Sequence, residues 1–372
     1  MIESNGAASF PGRREGNLLW KGRSIWEILA EASDTSMPTR SGRPSLLDVA
    51  RLAGVSHITV SRVMNKVSGV RATTRDSVLA AMRQLGYQPN AAARALVTGR
   101  SRSIGVVCYN TALFGPAAAL LGLEQAAREA GYAVTIVGID RLDARSVERS
   151  VQALLHQGVA GVAIISPQVA VADALRDMPH PLPMVTLWGQ GDLGVPNIVA
   201  AEAQGARLAT THLLELGHVT VWHVAGPPGR YGAQEREKAW RATLRAAGAE
   251  APKVLGGDWS ARSGYLAGRR LLRLPQASAV FVASDQMALG LLRALHEAGR
   301  RVPGDISVVG FDDLPEAAYF TPPLTTIRQD FGAIGAASLR MLLAQIEGGA
   351  AADDGDVVLP VTLIVRQSTG RR

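Results

Sequence analysis

Residues 45–65 read SLLDVARLAGVSHITVSRVMN and predict two short helices joined by a tight turn. Ser45 with Asp48 three residues later is a capping-box pattern, which satisfies the free amides at the start of a helix. Gly54 follows the apolar positions of the first helix and provides a stop, and Ser56 is placed to cap the second helix. A connection of three or four residues is what a helix-turn-helix requires.

The second helix is predicted to bury Val60, Val63 and Met64 and to leave a short polar face toward solvent. Such a face fits the major groove of DNA, where residues near the helix start contact base edges and others contact phosphates. The alternative is an ordinary amphipathic surface helix, which more often carries Glu and Lys on that face. The candidate DNA contacts of the head are Leu46, Ser56, His57, Ile58, Thr59, Ser61, Arg62, Asn65 and Thr74.

The positive charge of the chain is concentrated around this region. Residues 37–103 contain 11 Arg or Lys and 2 Asp, a net charge of +9, whereas residues 1–36 and 104–372 each carry −1. A basic segment attracts a polyanion, because each neutralised phosphate releases condensed counterions. Basic runs are also common on solvated surfaces, so the charge favours DNA only together with the helix pattern.

A third helix is predicted in the stretch that follows. Thr73 with Asp76 repeats the capping pattern, and Gly86 and Pro89 end the helix. Its predicted inward face consists of Val78, Leu79, Met82 and Leu85. The next segment, NAAARALVTGR at 90–100, is a marginal helix by itself, because a short isolated helix is limited by nucleation.

The rest of the chain alternates apolar runs of strand length with helical patterns. The runs are IGVVCY (104–109), AVTIVGI (133–139), GVAIIS (161–166), MVTLWG (184–189), VTVWHVAG (219–226), SAVFVAS (278–284) and ISVVGF (306–311). Near-continuous apolar strands separated by helices predict parallel sheets covered on both faces. The glycine-rich GQGDLGVPN predicts a break near 190–200, and therefore two lobes with a cleft between them.

Polar and aromatic residues stand at the predicted carboxyl ends of these strands, where parallel sheets bind ligands. They are Ser166, Trp188, Ser284, Asp285, Asp312 and Asp313, with Arg236 and Trp259 between strands. A buried Trp is more often a core residue. Beside carboxylates, an Arg and hydroxyls, however, it is suited to hold a sugar, whose C–H surface packs on the ring.

The chain resembles the LacI/GalR family of transcriptional regulators over residues 44–372. The resemblance is carried by SLLDVARLAGVSHITVSRVMN, TRDSVLAAMRQLGYQPNAAARAL and IGVV, and, closest to the lactose-repressor branch, by GDWSARSGY, VASDQMALGLLRAL, DISVVGFDD and PPLTTIRQDF. It implies an α/β protein: an N-terminal all-α helix-turn-helix head and a two-lobed, periplasmic-binding-protein-like effector domain of two parallel-sheet lobes. It also implies a hinge that folds over DNA and wedges Leu96 into the minor groove, with Asn90, Ala93 and Arg94 beside it.

Carried over by position, the resemblance implies a set of effector contacts between the lobes. These are Leu113, Gly115, Pro116, Ser166, Trp188, Arg236, Trp259, Ser284, Asp312, Gln329 and Phe331. The Arg, Asp, Gln and Ser284 side chains would bind hydroxyls, and Trp259 and Phe331 would pack on the ring. Ser284 and Trp188 depart from the lactose-repressor branch, which has Asn and Asp there, so a galactoside is in question.

The expected organisation has four parts. They are a disordered or mis-assigned extension at 1–43, with Met37 as a candidate start, the head at 44–89, a hinge at 90–102, and an effector-binding and dimerisation domain at 103–372. The expected partners are pseudo-palindromic double-stranded operator DNA, a small sugar effector and a second copy of the chain. The end of the sequence has no heptad helix, which favours a dimer over a tetramer.

Other classes of protein lack their motifs. The turn after the first strand, GVVCYNTALFGP, has no G-x-G-x-x-G, and neither a Gly-Lys pair nor a G-x-S-x-G elbow occurs, so no enzyme, cofactor or metal is predicted. The segment that contains His212, His218 and His223 runs from a helix into a strand, so these histidines are not expected to share a metal.

No secretory signal or membrane span is seen, and Cys108 is the single cysteine, so a cytoplasmic protein is expected. A purine-responsive regulator and a sugar-binding receptor with a vestigial head remain as alternatives.

Overall fold

The structure is a computed structural model that describes residues 44–64, 68–87, 101–109, 111–139, 141, 143–165, 175, 182–189, 194–348 and 356–372. Contacts divide the chain between residues 89 and 90 into two compact units. Several predictions fall outside the described residues. They concern the extension at 1–43, Asn65, Pro89, the hinge residues Asn90, Ala93, Arg94 and Leu96, and Ser166.

The first unit contains three helices, α1 (Leu46–Ala53), α2 (His57–Met64) and α3 (Ala72–Leu85). The predicted capping box is confirmed, since the Asp48 amide donates to Ser45 Oγ and Asp48 Oδ2 accepts from the Ser45 amide. Gly54 ends α1 with φ 67°, a left-handed conformation that glycine adopts without steric cost. The buried core of the head consists of Val49, Ala50, Val60, Val63, Val78 and Ala81.

Two details of α3 differ from the sequence prediction. The helix begins one residue before Thr73, with Arg71 at the N-cap and no side-chain cap, so the predicted Thr73–Asp76 capping box is wrong. Leu79 is 38% exposed, and the small Ala81 takes the buried position instead. The periodic pattern predicted the position of the helix correctly, but tertiary packing determines that Ala81 rather than Leu79 is buried.

The second unit alternates strands and helices along the chain. The strands are β1 (Ser103–Tyr109), β2 (Ala133–Ile139), β3 (Gly161–Ile165), β4 (Met184–Leu187), β5 (Asn197–Ala200), β6 (Trp222–Ala225), β7 (Leu255–Gly256), β8 (Ala279–Val282), β9 (Ser307–Asp312), β10 (Thr325–Gln329), β11 (Val357–Leu359) and β12 (Val361–Ile364). The helices are α4 (Phe114–Glu129), α5 (Ala144–His156), α6 (Glu202–Glu215), α7 (Tyr231–Ala246), α8 (Ala261–Leu271), α9 (Asp285–Glu297) and α10 (Phe331–Ile346). Each of the seven predicted apolar runs overlaps a strand.

The strands form two sheets, which define two lobes. Lobe 1 has the strand order β11-β5-β4-β3-β1-β2 and is covered by α4, α5 and α10; lobe 2 has the order β12-β10-β9-β8-β6-β7 and is covered by α6 to α9. The strand pairs are parallel, as predicted, except that β12 runs antiparallel to β10. The α/β fold with two parallel-sheet lobes is therefore confirmed.

The break between the lobes lies later than the sequence predicted. Residues 197–200 form β5, which pairs with β4 and β11 inside lobe 1, so the change of sheet comes after Ala200 rather than near 190–200. The chain also returns to lobe 1 after β10 and passes back to lobe 2 between β11 and β12. Three segments therefore connect the lobes, and a motion of one lobe against the other must bend all three.

The lobe interiors are apolar, with Trp240, Phe281 and Phe311 among the largest fully buried side chains. Cys108 is buried near the end of β1, and burial raises the pKa of its thiol, as expected for a structural cysteine. Among the described residues, no helix combines the length and apolarity needed to cross a membrane.

Candidate functional site

The head presents α2 to solvent along one face. Val60 and Val63 are buried, whereas His57, Ile58 and Arg62 are exposed on the other side of the helix. Thr59 and Ser61 are half-buried between the two faces. The structure therefore brings the predicted DNA-contacting side chains of α2 onto one surface.

Ser56 has a structural role at the start of this helix. Its hydroxyl accepts a hydrogen bond from the Thr59 amide at 3.2 Å and lies 2.9 Å from the Thr59 hydroxyl. Leu46 is half-buried against the head core, and Thr74 is half-buried on α3. Ile58 is 55% exposed, and an apolar side chain among hydroxyls is suited to contact a thymine methyl group.

A cavity lies between lobes 1 and 2, at the carboxyl ends of the strands of both sheets. It is lined by Leu113, Phe114, Gly115, Pro116, Trp188, Glu202, Arg230, Gly232, Arg236, Trp259, Ser284, Gln286, Asp312, Gln329 and Phe331. Ten of the eleven predicted effector contacts line this one cavity, and the eleventh, Ser166, lies outside the described residues.

Backbone strain is concentrated at this cavity. Among the described non-glycine residues, positive φ occurs at Trp188 (58°), Trp259 (74°), Asp312 (106°) and Asp313 (55°). Three of the four line the cavity, and the fourth is their neighbour. Such conformations are unfavourable for residues with a Cβ and are retained where the surrounding structure holds a side chain in a functional position.

Arg236 is the electrostatic centre of the cavity. Its Nε donates to Glu202 Oε2 at 2.7 Å, its Nη1 donates to the carbonyl of Ala283, and its Nη2 lies 3.6 Å from Asp312 Oδ1. The guanidinium also lies over the ring of Phe311, at 3.7 Å from the centroid. Burial alone would lower the pKa of Arg236, but the Glu202 and Asp312 carboxylates raise it above its ordinary value. The guanidinium is therefore fixed and charged before any ligand arrives.

Asp312 is an unusual carboxylate. It is the last residue of β9, and its side chain is 13% exposed. Burial raises its pKa to about 7, although Arg236 and the amide of Gln329 oppose the shift by stabilising the charged form. A carboxyl group with this pKa near neutral pH can accept a hydrogen bond as the anion or donate one as the acid.

Gln329 carries an unsatisfied acceptor. Its Nε2 donates to Asp312 Oδ1 at 2.8 Å, but its Oε1 is buried and has no hydrogen-bond partner among the described residues. A buried carbonyl oxygen without a partner is unfavourable by roughly 1–3 kcal/mol. The oxygen is closed to solvent in this structure, so a ligand hydroxyl would have to displace a neighbouring group in order to donate to it.

The lobe 1 side of the cavity is aromatic. The ring of Phe331 lies 5.5 Å from that of Phe114 in an edge-to-face arrangement and 5.9 Å from that of Trp188. A Cβ at Gly115 would approach Phe331 Cε1 to 2.9 Å, so the missing side chain makes room for this ring. These rings form a continuous apolar wall.

On the lobe 2 side, Trp259 packs against the Cα of Gly226, where a Cβ would overlap the indole ring. The Arg236 guanidinium lies 5.5 Å from the Trp259 ring centroid. The indole is therefore held between a glycine backbone and a fixed cation, with one side left to line the cavity.

Five lining residues were not predicted from the sequence. They are Phe114, Glu202, Arg230, Gly232 and Gln286. Phe114 and Gln286 are direct neighbours of predicted positions. Glu202 carried no recognisable sequence pattern, and only the fold shows that it is buried against Arg236, 34 positions away.

Asp285 follows the predicted Ser284 in the sequence, but its carboxylate is buried in the interior of lobe 2. Its carboxylate accepts hydrogen bonds from the Leu314 amide at 2.9 Å and from the Thr326 hydroxyl at 2.6 Å. Burial raises its pKa well above the ordinary value, and the nearby Asp312 adds to the shift. Ser284 caps α9 by accepting from the Met287 amide.

The three clustered histidines take separate partners. His212 bonds the Thr369 hydroxyl, His218 lies between the hydroxyls of Ser278 and Ser307, and His223 bonds the Phe281 carbonyl. Burial lowers the pKa of His223 to about 3, so this side chain is neutral. Among the described residues, no group of His, Cys, Asp and Glu has the arrangement of a metal site.

Comparison with known sequence families gives two matches. The profile of "Bacterial regulatory proteins, lacI family" matches residues 45–90, which contain the three-helix head. The profile of "Periplasmic binding protein-like domain" matches residues 210–369, which contain most of lobe 2 and α10 of lobe 1.

Individual proteins are similar over most of the chain. The lactose operon repressor of Escherichia coli K12 is 37% identical over 333 residues, which are 87% of this chain and 90% of that protein. A crystal structure of the Lac repressor dimer bound to operator and the anti-inducer ONPF has a TM-score of 0.81 and 36% identity, and the match covers 88% of this chain and all of that one. A complex of the transcriptional regulator CelR with cellobiose has a TM-score of 0.65 and 35% identity over 88% of this chain and all of that one.

Proposed function

This chain is a member of the lacI family of bacterial regulatory proteins, and on that basis we propose that it is a transcriptional repressor whose affinity for operator DNA is controlled by a neutral sugar bound between lobes 1 and 2. The family consists of regulators rather than enzymes, so the cavity is a binding site and not a catalytic one. The proposed domain boundaries are 44–89 for the head, 90–102 for the hinge and 103–372 for the effector domain.

The chemistry of the cavity favours a neutral, hydroxyl-rich ligand. The described lining contains two acids, Glu202 and Asp312, and two bases, Arg230 and Arg236. Arg236 forms ion pairs with both acids. Among the described lining residues the acids and bases are equal in number, so no cluster of like charge is available for a strongly ionic ligand. The observation that carries the proposal is the hydrogen-bonded pair of Asp312 and Gln329 in the cavity lining, beside the fixed Arg236 guanidinium and the aromatic wall, because carboxyl, amide and guanidinium groups bind hydroxyls and the rings pack on C–H groups.

The related structures point in the same direction. One related structure is a complex with cellobiose, and another is bound to operator DNA and an anti-inducer. A nucleobase is the weaker candidate for this chain. Its flat ring would fit the aromatic wall, but it offers fewer hydroxyl donors for the acceptors of lobe 2.

In the proposed DNA complex, α2 of each head lies in the major groove. His57, Ile58 and Arg62 are exposed for base and phosphate contacts, and Ser56, Thr59 and Ser61 supply hydroxyls at the helix start. The Lac repressor structure is a dimer on operator, and two copies of this chain would likewise bind the two halves of a pseudo-palindrome. Since its target is bacterial DNA, the repressor is proposed to act in the cytoplasm.

The proposed switch couples the cavity to the hinge. Hinge segments from two copies would pack together over the minor groove, with Leu96 as the wedge and Asn90, Ala93 and Arg94 beside it. A sugar that prefers a different lobe arrangement would separate the hinges and release the operator. A hundredfold preference for one arrangement supplies about 2.7 kcal/mol.

The test is a gel shift on inverted repeats from the neighbourhood of the gene, repeated with a panel of neutral sugars and nucleobases. We expect sequence-specific binding that one or more sugars weaken. Leu96→Ala should weaken operator binding while sparing sugar affinity. Equal affinity for all duplexes of the same length would exclude the repressor function, and a response to nucleobases alone would exclude the sugar.

A further inference from the structure

A contact between a cation and an aromatic ring joins the two lobes. The guanidinium carbon of Arg230 lies 5.0 Å from the centroid of the Tyr109 ring. Tyr109 is the last residue of β1 in lobe 1, and Arg230 is the N-cap residue of α7 in lobe 2. A cation within about 6 Å of a ring centroid is attracted by the negative face of the ring. This cross-lobe contact between Arg230 and Tyr109 therefore holds lobe 1 against lobe 2.

The sheet topology places the cross-lobe contact far from the covalent connections between the lobes. The chain passes from one lobe to the other after β5, after β10 and between β11 and β12, and these strands lie at one edge of each sheet. In lobe 1, β1 stands three strands from β5; in lobe 2, β6, which leads to Arg230, stands three strands from β10. With neighbouring strands about 4.8 Å apart, the contact lies roughly 14 Å from the connections.

The polar groups of the cavity are closed to solvent in this structure. The exposed fraction is 2% for Ser284, 5% for Gln329 and 6% for Arg236. A sugar reaches these groups from solvent only if the lobes separate. Because the connections lie at one edge of each sheet, the lobes separate most at the other side, where Arg230 meets Tyr109. At roughly 14 Å from the connections, a rotation of roughly 4° lengthens the contact by about 1 Å, to the limit of cation–π attraction.

We propose that the cross-lobe contact of Arg230 and Tyr109 is the gate of the cavity, and that a small molecule enters or leaves the cavity only when this contact opens. The inference goes beyond the proposed function and depends on it only for the identity of the molecule that enters. Arg230 also lines the cavity, whereas Tyr109 is not among the described lining residues. A substitution of Tyr109 therefore changes the gate and leaves the described lining intact.

The expected effect is a change in the fraction of molecules with an open cleft. Arg230 is only 9% exposed, so its attraction to the ring is weakly screened by water. Loss of a cation–π contact of this kind should raise the ratio of open to closed molecules by roughly 5- to 30-fold. Tyr109→Leu removes the ring and keeps an apolar side chain, and Tyr109→Phe keeps the ring face and provides the matched control.

Thiol labelling measures the open fraction without any sugar. Ser284→Cys in the full chain places a thiol in the closed lining, where iodoacetamide alkylates it only while the cleft is open. In this background, Tyr109→Leu should increase the alkylation rate roughly 5- to 30-fold, measured by mass spectrometry of peptides. Tyr109→Phe should leave the rate within about twofold, because Phe retains the ring face.

The native Cys108 is an internal control for unfolding. It is 3% exposed in the interior of lobe 1, next to Tyr109 in β1. Its alkylation requires lobe 1 to unfold locally, so in the same samples its rate should not change with Tyr109→Leu. If both thiols react faster, Tyr109 supports the packing of β1 and the gate is refuted. An unchanged rate at the Cys introduced by Ser284→Cys would refute it as well.

A second variant tests the contact from the other lobe. Arg230→Gln removes the cation without altering β1, and it should also increase the alkylation rate. Because both substitutions abolish the same contact, the double variant should react no faster than the faster single variant. Independent, multiplying effects would show that the two side chains do not act together and would overturn the inference. The proposed function fails separately, if no sugar alters operator binding, and that result would leave the gate in place.

Discussion

The substitution Asp312→Asn should stabilise the ligand-free protein at alkaline pH and weaken effector binding. Asn has the shape of Asp, tolerates the positive φ of this position, and keeps an Oδ1 that accepts from Gln329. What it removes is the buried negative charge. Arg236 loses a partner at 3.6 Å but keeps Glu202 at 2.7 Å, so the guanidinium stays compensated.

The magnitude follows from the pKa of Asp312. In the folded protein burial raises this pKa from 3.8 to about 7, whereas in the unfolded chain it lies near the ordinary value. Between these two values the folded state holds a proton that the unfolded state has released, so the contribution of Asp312 to stability falls as pH rises from about 4 to about 7 and then levels off. At 1.36 kcal/mol for each pKa unit, the full loss is roughly 4 kcal/mol.

Urea denaturation of wild type and D312N at pH 5.5 and pH 8.5 provides the assay. The variant should exceed the wild type by about 1–4 kcal/mol at pH 8.5, the lower end allowing for the weakened Arg236 contact, and the difference should shrink at pH 5.5. Comparing the two proteins at each pH cancels the other titrating groups. A variant that is less stable than wild type at pH 8.5, or a difference independent of pH, would refute the proposed burial penalty.

The adjacent Asp313 offers a matched control. Its carboxylate accepts hydrogen bonds at 2.6 Å from both Arg328 Nε and Arg366 Nη2. Asp313→Asn breaks two ion pairs and should destabilise the protein by about 1–3 kcal/mol at pH 8.5. Two neighbouring Asp to Asn changes should thus have opposite signs, which a general effect of charge removal in this loop would not produce.

Three further outcomes are expected. Gly226→Ala places a Cβ in the space of the Trp259 indole and should weaken sugar binding at least tenfold by calorimetry; an unchanged Kd would contradict the role of this packing. Ser45→Ala removes the capping box of α1 and should destabilise the head by about 1 kcal/mol, visible as faster hydrogen exchange at 46–53 but not in α9. Operator affinity, followed by fluorescence anisotropy, should fall roughly a thousandfold between 50 and 200 mM salt if about six phosphates are contacted, and a flat response would argue against a polyanion partner.

Local sequence patterns were sufficient for the first two helices of the head. Helix caps and helix periodicity depend on neighbours within four positions, so Ser45, Gly54 and Ser56 are enough to mark the boundaries of α1 and the start of α2. The misplaced start of α3 shows the limit of this reasoning. Thr73 and Asp76 have the right spacing for a cap, but the helix extends past them to Ala72.

The strands of the effector domain were also visible as apolar runs, because both faces of a parallel sheet are buried. Three strands without a long apolar run were not visible in the sequence. The strand β5 lies in a segment with glycine and proline, and β11 and β12 are short and partly exposed. Their assignment depends on pairing partners up to about 160 positions away, which no local pattern encodes.

The sequence by itself determined the class of each part of the chain: a basic three-helix head, alternating strands and helices behind it, and, through the resemblance, most of the residues that line the cavity. Only the tertiary structure decided how those residues act on one another. The Glu202–Arg236 pair, the raised pKa of Asp312, the buried Oε1 of Gln329 that has no partner among the described residues, and the aromatic lobe 1 wall at Trp188 arise from groups brought together across sheets and lobes. Desolvation and charge interactions depend on the distance between groups in space and on the exclusion of water. Neither the distance nor the exclusion of water can be deduced from the order of the residues alone.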